Sequence, residues 1–240
     1  MIDKLIKGAR QMGLALEEPA ARRMQAYWRA VEGAGFNLTA LKGEDQAVRL
    51  HFLDSLSPLL FDLIGRGASV LDVGTGGGFP AVPLAVARPD IRVTAMDSVG
   101  KKIRFIAEHT KDLSIKTLHA RAEEAAHGSL RETFDVVVAR AVAPLPILLE
   151  YLLPFAKIGG LMVAYKGPSV REEMAQGAAA ARILGADAPK SLPYDLPGDE
   201  KNHVLIVTTK RDSTPKTYPR GQGKPKSAPL GSGGKRQPVE

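Results

Sequence analysis

The residues best suited to approach a ligand closely are four glycines in DVGTGGGFP, residues 72–80. Glycine lets the backbone turn sharply and come near a ligand, because no β-carbon intervenes. A dinucleotide site requires G-x-G-x-x-G or G-x-G-x-x-A. Begun at Gly74 this pattern fails at Phe79, and begun at Gly76 it fits formally but includes a proline. The better description is acid-x-G-x-G-x-G, led by Asp72.

A carboxylate stands at the end of the next apolar run. IRVTAMD ends at Asp97, about 20 residues beyond the loop, where an acid can accept hydrogen bonds from ribose hydroxyls. Dinucleotide and S-adenosylmethionine sites share this acid, and a helix N-cap is the alternative role for Asp97. The arrangement of Gly74, Gly76 and Gly78 resembles motif I of class I S-adenosylmethionine-dependent methyltransferases. Their ligand has no phosphate, so it needs no anion-binding helix end.

Basic residues follow the fourth and fifth apolar runs. Arg140 closes FDVVVAR and Lys166 follows MVAY. The Asp/Asn-Pro-Pro-Tyr/Phe motif of enzymes that methylate amino groups is absent, and so is the cysteine nucleophile needed to methylate carbon 5 of pyrimidines. Both classes of nucleic-acid methylation are therefore disfavoured. Guanine N7 has a free lone pair and loses no proton on methylation, so alignment can suffice. We expect Arg140 to contact the cofactor carboxylate, a phosphate or guanine O6, or else to form a structural ion pair. Lys166 is a similar candidate, or a solvated lysine at a strand end.

These positions require a scaffold of alternating strands and helices. From residue 69 onward, short apolar runs alternate with helical segments, which predicts an α/β fold with a mostly parallel sheet. Ligands of such sheets bind beyond the carboxyl ends of the strands. Apolar residues at helical spacing in 1–66 predict a helical extension packed on a core domain at 67–210.

The positive charge is concentrated at the end of the chain. The 240 residues include 33 basic and 26 acidic side chains, for a net charge of +7. From Lys210 onward, eight basic and two acidic residues give +6, which leaves +1 for residues 1–209. Few large apolar residues occur there, so residues 211–240 are predicted to form a flexible basic tail.

Composition also excludes several kinds of chemistry. Cysteine is absent, which excludes disulfides, thiolate zinc sites and a cysteine nucleophile. No run of about 18 apolar residues is present, so no membrane span is expected. The N-terminal sequence MIDKLIKGARQ lacks a secretory signal, and we expect a cytoplasmic protein.

Seven strings occur in one order along the chain: FNLTA (36–40), RLHFLDSL (49–56), DVGTGGGFPAVPLA (72–85), DSVGKKIRF (97–105), RAEE (121–124), FDVVVARAVAPL (134–145) and AYKG (164–167). Together they resemble the glucose-inhibited division protein B family, also called RsmG, the small-subunit (16S) ribosomal RNA guanine-N7 methyltransferases. The resemblance implies a class I methyltransferase (Rossmann-like) fold with a seven-stranded, mostly parallel sheet. It implies S-adenosylmethionine as methyl donor, no metal, and transfer without a general base to N7 of a guanine near the decoding region. The implied partner is 16S rRNA or the small ribosomal subunit, and we expect a monomer.

The candidate site residues fall into two groups. The expected cofactor contacts are Gly74, Gly76, Gly78, Phe79, Asp97, Ala122, Glu123 and Arg140. The residues expected to contact RNA are His51, Asp54, Ser55, Lys101, Lys102, Arg104, Lys166 and Arg220. Arg140 and Lys166 are the candidates for positioning the reacting groups. The alternatives are a buried core histidine at His51, an ion pair at Asp54 and a solvated helix face at Lys101 and Lys102.

Three other functions are compatible with these features. They are methylation of a small molecule or protein, nucleotide or RNA binding without catalysis, and a dehydrogenase that uses the Gly76 register. Transfer of methyl groups to purified 30S particles but not to metabolites would favour the rRNA enzyme. Deleting residues 212–240 is expected to weaken RNA binding and leave cofactor affinity unchanged.

Overall fold

The computed structural model of the protein describes residues 1–140 and 143–232. Ala141 and Val142 of the string 134–145, and Lys235 and Arg236 of the basic tail, lie outside these residues. The α-helices are α1 (Ile2–Gln11), α2 (Glu18–Glu32), α3 (Glu44–Gln46), α4 (Ala81–Ala87), α5 (Gly100–His109), α6 (Ala122–Ala125), α7 (Leu145–Leu152), α8 (Met174–Ile183) and α9 (Lys224–Ser227). A π-helix covers Ala47–Leu53, and 3-10 helices cover Ser57–Phe61, Leu153–Phe155 and Pro168–Glu173.

The described strands form one seven-stranded sheet of order β3-β2-β1-β4-β5-β7-β6. They are β1 (Ser69–Val73), β2 (Arg92–Asp97), β3 (Ile115–His119), β4 (Phe134–Arg140), β5 (Ala156–Lys166), β6 (Lys190–Tyr194) and β7 (His203–Thr209). Strands β1 to β5 are parallel, and β7 pairs antiparallel with both β5 and β6. The predicted α/β fold with a mostly parallel sheet is confirmed. Edge strand β6 was not predicted, because its proline is typical of an edge or of no strand at all.

The chain winds in both directions from the centre of the sheet. From β1 it runs outward through β2 to β3, then returns to the other side of β1 for β4 and β5. Order reverses between β1 and β4, which is the switch point where ligands of open α/β sheets bind. Loops at the carboxyl ends of these strands therefore form the natural site.

Both faces of the sheet are covered, as buried parallel strands require. On one face, Leu5 of α1, Tyr27 of α2, Phe52 of the π-helix and Ile106 of α5 join one apolar core. On the other face, α7 and α8 pack against the alternate strand residues, with Leu149 fully buried. The α-helices within residues 1–66 thus belong to one core with the sheet. Division of the chain at residues 66 and 210 stays a prediction.

The C-terminal segment differs from the sequence-based expectation. Residues 211–232 lie against the domain instead of extending from it as a flexible tail. Polar contacts hold the segment: the Arg131 guanidinium donates to the carbonyls of Thr214 (2.6 Å) and Tyr218 (2.9 Å). The backbone N–H of Thr214 donates to Glu132 at 2.9 Å. The sequence-based prediction considered only apolar content, which is low in this segment. It therefore missed the packing, because hydrogen bonds hold the segment against the domain.

No helix among residues 1–140 and 143–232 has the length and apolar character needed to cross a bilayer. Across the same residues, no group of three or more histidine, aspartate or glutamate side chains is arranged to hold a metal ion.

Candidate active site

The glycine loop is shaped by left-handed backbone conformations. Gly74, Gly76 and Gly78 have φ values of +76°, +59° and +88°, a region that side-chain-bearing residues rarely adopt. At Gly78 a β-carbon would also lie 2.4 Å from the Tyr27 hydroxyl. That hydroxyl donates to the Gly77 carbonyl at 2.9 Å, so α2 braces the loop from behind.

Five amides of the loop donate to acceptors within the protein. The N–H groups of Gly74 and of the following threonine donate to the Met96 carbonyl of β2, at 2.8 and 3.0 Å. The Gly76 N–H donates to Asp97 at 2.9 Å, and the amides of Gly78 and Phe79 both donate to the Thr75 carbonyl at 3.0 Å. These amides are therefore not free to form an anion-binding nest.

Asp97 joins the loop to the segment after β2. Its Oδ2 accepts from Gly76, its Oδ1 accepts from the N–H of Val99 at 2.8 Å, and the residue is 7% exposed. The N-cap residue of α5 is Val99 and no side chain of the described residues caps the helix, so the alternative role of Asp97 as a helix N-cap is wrong. Asp97 instead forms a turn with Val99 ahead of the helix. A carboxylate offers about four lone-pair sites, so two remain for a ligand.

Asp72, the acid that leads the motif, supports the loop from below. It is fully buried, and its Oδ2 accepts from the backbone N–H of Ala81 at 3.0 Å where α4 begins. Burial raises the pKa of Asp72 to about 6, because the charged form loses its hydration. Asp72 thus fixes the start of α4.

A cavity of about 180 Å³ lies at the carboxyl ends of β1 to β4, and we call it the switch-point cavity. Of the predicted cofactor residues, Gly74, Asp97, Ala122 and Glu123 line it. Its remaining lining residues include Met96, Ala139, Leu148, Tyr151 and Lys226. Gly76, Gly78 and Phe79 shape the loop behind this cavity, and Arg140 points elsewhere.

A second cavity, of about 490 Å³, lies beside the π-helix, and we call it the π-helix cavity. His51, Asp54, Arg140 and Lys166 line it, as do Tyr165, Tyr194 and His203. Ala139 lines the first cavity and Arg140 the second, so consecutive residues of β4 serve the two cavities.

Arg140 is fixed by three partners on one helical segment. Its Nη1 donates to the Leu50 carbonyl at 2.7 Å and to Asp54 at 3.0 Å, and its Nη2 donates to His51 Nδ1 at 3.0 Å. A π-helix leaves carbonyls available to partners other than its own amides, and such segments are frequent at functional sites. The structure therefore shows the second role expected for Arg140, a structural ion pair, and this pair lies in the wall of the π-helix cavity.

His51 is buried and neutral. Its ring stacks on Phe79 with centroids 4.2 Å apart, and its Nε2 lies 2.6 Å from the Thr39 hydroxyl. Burial, followed by the charge of Arg140, lowers the pKa of His51 to about 3. A neutral ring that accepts from Arg140 at Nδ1 donates from Nε2 to Thr39. Both nitrogens are occupied, so His51 has no free lone pair for a proton.

Asp54 lies at the centre of a buried polar network. The Tyr194 hydroxyl donates to its Oδ1 at 2.6 Å, opposite the ion pair with Arg140, and His203 Nδ1 is 3.9 Å away. Ser55 is buried and does not line the cavity, because its hydroxyl donates to the His51 carbonyl. Of these two residues predicted to contact RNA, Ser55 thus has a structural role and Asp54 lines the π-helix cavity.

Lys166 is held in place on the other wall of the π-helix cavity. Its Nζ donates to the Ala143 carbonyl and to Glu173, both at 2.9 Å. It is therefore neither a solvated lysine nor an unpaired cation.

The remaining basic candidates lie at the beginning of α5 and in the C-terminal segment. Lys101 and Arg104 are exposed and Lys102 is half-buried, and the Lys101 ammonium lies 4.9 Å from the Phe36 ring centroid. Arg220 differs from these three, because it is 2.6 Å from Glu150, whose side chain is fully buried. The expectation that Arg220 contacts RNA therefore has no support in its position.

Sequence reasoning missed several residues that line the two cavities, among them four with polar side chains. Tyr151 and Lys226 line the switch-point cavity, and Tyr194 and His203 line the π-helix cavity. None of them stands in the family strings. Glu150 offered one usable signal, since it is the single charged residue in the apolar helix LPILLEYL.

The sheet order, the glycine loop and the cavity at the switch point define the class I, Rossmann-like methyltransferase fold. A solved structure of this fold, the branched-chain polyamine synthase C9 mutein of Thermus thermophilus, superposes with a TM-score of 0.61 at 16% identity. The match covers 85% of this chain and 67% of that one.

Sequence comparisons identify the family. The family model for rRNA small subunit methyltransferase G matches residues 20–193. Ribosomal RNA small subunit methyltransferase G of Lachnoclostridium phytofermentans is 39% identical over 231 residues, which cover 94% of this chain and 96% of that protein. Its counterpart in Alkaliphilus oremlandii is 41% identical over 198 residues, covering 81% and 83%. The chain belongs to the rRNA small subunit methyltransferase G family, as the motif strings predicted, and it is a methyltransferase.

Proposed function

We propose that the protein transfers the methyl group of S-adenosylmethionine to N7 of a guanine in 16S rRNA. The observation that carries the proposal is the placement of two cavities on consecutive residues of β4, Ala139 and Arg140. One cavity has the features of a cofactor site, and the other is large enough for a base and has Arg140 and Lys166 in its wall. The names of the relatives, ribosomal RNA small subunit methyltransferase G, support small-subunit rRNA as the substrate.

The residues of the switch-point cavity fit S-adenosylmethionine better than a dinucleotide. Asp97 has acceptor capacity left for ribose hydroxyls, and Met96 and Leu148 supply apolar surface for a purine. A pyrophosphate would need free amides at the loop, but those of Gly74, Gly76 and Gly78 are already engaged. These three amides are unavailable to a pyrophosphate, which disfavours the dehydrogenase alternative.

The π-helix cavity supports a reaction without a general base. S-adenosylmethionine, when bound, supplies an electrophilic methyl group, and a guanine N7 lone pair accepts it without losing a proton. His51 has no lone pair to offer, because both ring nitrogens are engaged. Arg140 and Lys166 hold positive charge at fixed positions and orient the substrate, so the chain contributes alignment.

We assign RNA contact outside the cavities to the basic residues at the beginning of α5. Lys101 and Lys102 lie in the first turn of α5, four and five residues after Asp97, near the carboxyl edge of the sheet. Phosphates near a base in the π-helix cavity would meet this edge, and each contact with lysine releases counterions. No residue contact here selects a sequence by itself.

The test is methyl transfer to purified 30S particles and to 16S rRNA with labelled S-adenosylmethionine. Borohydride and aniline treatment followed by primer extension then maps N7-methylguanine. We expect one stop that is absent from rRNA of cells lacking the protein and is restored by adding the enzyme. Labelling of RNA without such a stop would overturn the N7 assignment. Labelling of small metabolites alone would favour the alternative class of methyltransferase.

A further inference from the structure

The C-terminal strap, which we define as residues 211–232, reaches the switch-point cavity. It leaves the sheet after β7 and crosses Arg131, whose guanidinium binds its carbonyls. The Pro219 carbonyl then lies 2.9 Å from His127 Nε2, just beyond α6. Helix α9 follows, and its Lys226 lines the cavity. A segment expected to act as a tether therefore forms part of a wall.

A buried ion pair fixes the strap against α7. Glu150 is fully buried and accepts from Arg220 three times: from Nε at 2.9 Å, from Nη2 at 2.6 Å and from the backbone N–H at 2.8 Å. Arg220 Nη2 also donates to the Ala228 carbonyl at 2.8 Å, directly after α9. Bidentate pairing of arginine with a carboxylate defines geometry as well as energy. The pair thus sets the position of α9 relative to α7.

Helix α7 itself supplies cavity walls, so this position matters to a ligand. Leu148 and Tyr151 of α7 line the switch-point cavity together with Lys226. Leu230, beyond α9, is 9% exposed and packs in the same apolar cluster as α7 and α8. The strap is anchored by Arg220 on one side of Lys226 and by Leu230 on the other.

We propose that the strap completes the methyl-donor pocket, with Lys226 as a cofactor-binding residue and Glu150–Arg220 as the pair that positions it. The inference rests on the proposed function of the switch-point cavity. Lys226 shares the cavity with Met96 and Leu148, which supply the apolar surface proposed for the purine. An ammonium group has three donors and no acceptor, whereas adenine ring nitrogens accept. Lys226 therefore donates to the purine.

The main experiment is calorimetric titration of the full-length protein with S-adenosylmethionine, S-adenosylhomocysteine and adenosine. Lys226→Met keeps the aliphatic length and removes the donor. Because Lys226 is exposed, we expect Kd to rise about five- to tenfold for all three ligands, as the loss of one hydrogen bond of ordinary strength would give. Lys224→Met is the matched control, because Lys224 lies in the same short helix, is exposed and does not line the cavity. Its Kd values should equal those of the wild type.

A second set of variants tests the positioning pair. We expect Arg220→Met to raise the cofactor Kd about tenfold. Arg220→Lys should recover only part of that affinity, because lysine keeps the charge but cannot form the bidentate pair. A chain ending at residue 211 should lose at least as much cofactor affinity as Arg220→Met, in contrast to the unchanged affinity that the sequence led us to expect for this deletion. A lowered unfolding midpoint with unchanged Kd in Arg220→Met would make the pair merely structural and overturn its positioning role.

The outcomes separate this inference from the proposed function. Asp97→Ala serves as the reference for the cavity. If the wild type does not bind S-adenosylmethionine, the proposed function and this inference both fail. If the wild type binds and Asp97→Ala weakens binding, but Lys226→Met and the shortened chain bind normally, only the strap inference fails. A loss confined to S-adenosylmethionine and S-adenosylhomocysteine, with adenosine bound normally, would overturn the purine contact of Lys226.

Discussion

The switch-point cavity is shaped by main-chain atoms, whereas the π-helix cavity, one residue further along β4, is shaped by side chains. In the first, glycine φ values and amide hydrogen bonds to Met96 and Asp97 create the concavity. In the second, Arg140 pairs with Asp54, 86 residues away, and Tyr194 reaches the same carboxylate from 140 residues away. A local sequence pattern can specify the first kind of site, but only the assembled fold creates the second.

We expect the switch-point cavity and the π-helix cavity to respond differently to amino-acid substitutions. Backbone geometry at the glycine loop tolerates changes in neighbouring side chains but not in the glycines. A buried network of charged and polar side chains instead depends on each member, because removal of one leaves its partner buried without compensation. Substitutions can therefore show whether the cavities are built independently.

Arg140→Met should have the largest effect. It leaves the Asp54 carboxylate buried without its cation, which we expect to lower the free energy of unfolding by about 3 to 5 kcal/mol. Methyl transfer should fall at least about 100-fold, since alignment is lost. Cofactor Kd in the folded fraction should change by less than about threefold, because Arg140 lines the other cavity. Denaturant unfolding, calorimetry and single-turnover transfer measure the three quantities.

Arg140→Lys is the companion variant, because it keeps the charge and retains at most part of the hydrogen bonding. It should unfold at a denaturant concentration between those of the wild type and Arg140→Met, and still transfer slowly. Cofactor binding weakened as much as transfer would show that Arg140 serves both cavities, and would remove the distinction between them.

Asp97→Asn tests the opposite side of the comparison. The amide turns one acceptor into a donor that faces either the Gly76 or the Val99 N–H, and it weakens the ribose contact. We expect cofactor Kd to rise about 100-fold, about 2.7 kcal/mol, from hydrogen bonds that lose a charged partner. Asp90→Asn is the control, since Asp90 pairs with Arg88 and lines neither cavity. Equal affinities for wild type and Asp97→Asn would refute the cofactor assignment.

The contrast explains what the sequence could predict. Glycines at 74, 76 and 78 and the acid at Asp97 are local signals, because each acts on backbone within a few residues of a strand end. The parallel sheet follows from apolar runs of strand length separated by helical segments. These features fix the switch-point cavity except for the strap.

The missed residues have a common physical origin. Tyr194 and His203 come from the antiparallel edge of the sheet, and their meeting with Asp54 depends on tertiary packing. The strap was predicted to be flexible because its composition cannot bury apolar area, but buried Glu150 orders it through Arg220. A lone glutamate in an apolar helix predicts a cationic partner without saying where in the chain that partner lies.

His51→Gln should reveal the side-chain network through pH. The folded pKa of about 3 lies below the ordinary value of 6.5, so unfolding takes up a proton at intermediate pH. The contribution of neutral His51 is complete above pH 6.5 and is lost as pH falls. Relative to His51→Gln, wild-type stability should therefore drop by about 1.6 kcal/mol between pH 6.5 and 5, with a slope that approaches about 1.36 kcal/mol per pH unit at the acidic end. Urea unfolding of both proteins across this range measures the difference.

Asp72→Asn provides the control of opposite sign. The folded pKa of Asp72 is raised to about 6, so its destabilising charge is fully present above that pH and is relieved on acidification. The two groups partly cancel in the wild type, which is why variant differences are needed. A stability difference between wild type and His51→Gln that does not vary with pH would mean that His51 is not held neutral.

Lys101→Ala should have the smallest effect. It tests whether RNA binds along the carboxyl edge of the sheet, where both cavities lie. Removing one phosphate contact should weaken 16S rRNA binding a few-fold and reduce the salt slope by about 1, with cofactor Kd unchanged. Lys111→Ala is the matched control, because Lys111 is also exposed but follows the opposite end of α5. Filter binding across a series of salt concentrations measures both slopes. If Lys111→Ala flattens the slope equally, RNA responds to overall charge, and the carboxyl edge of the sheet is not where it docks.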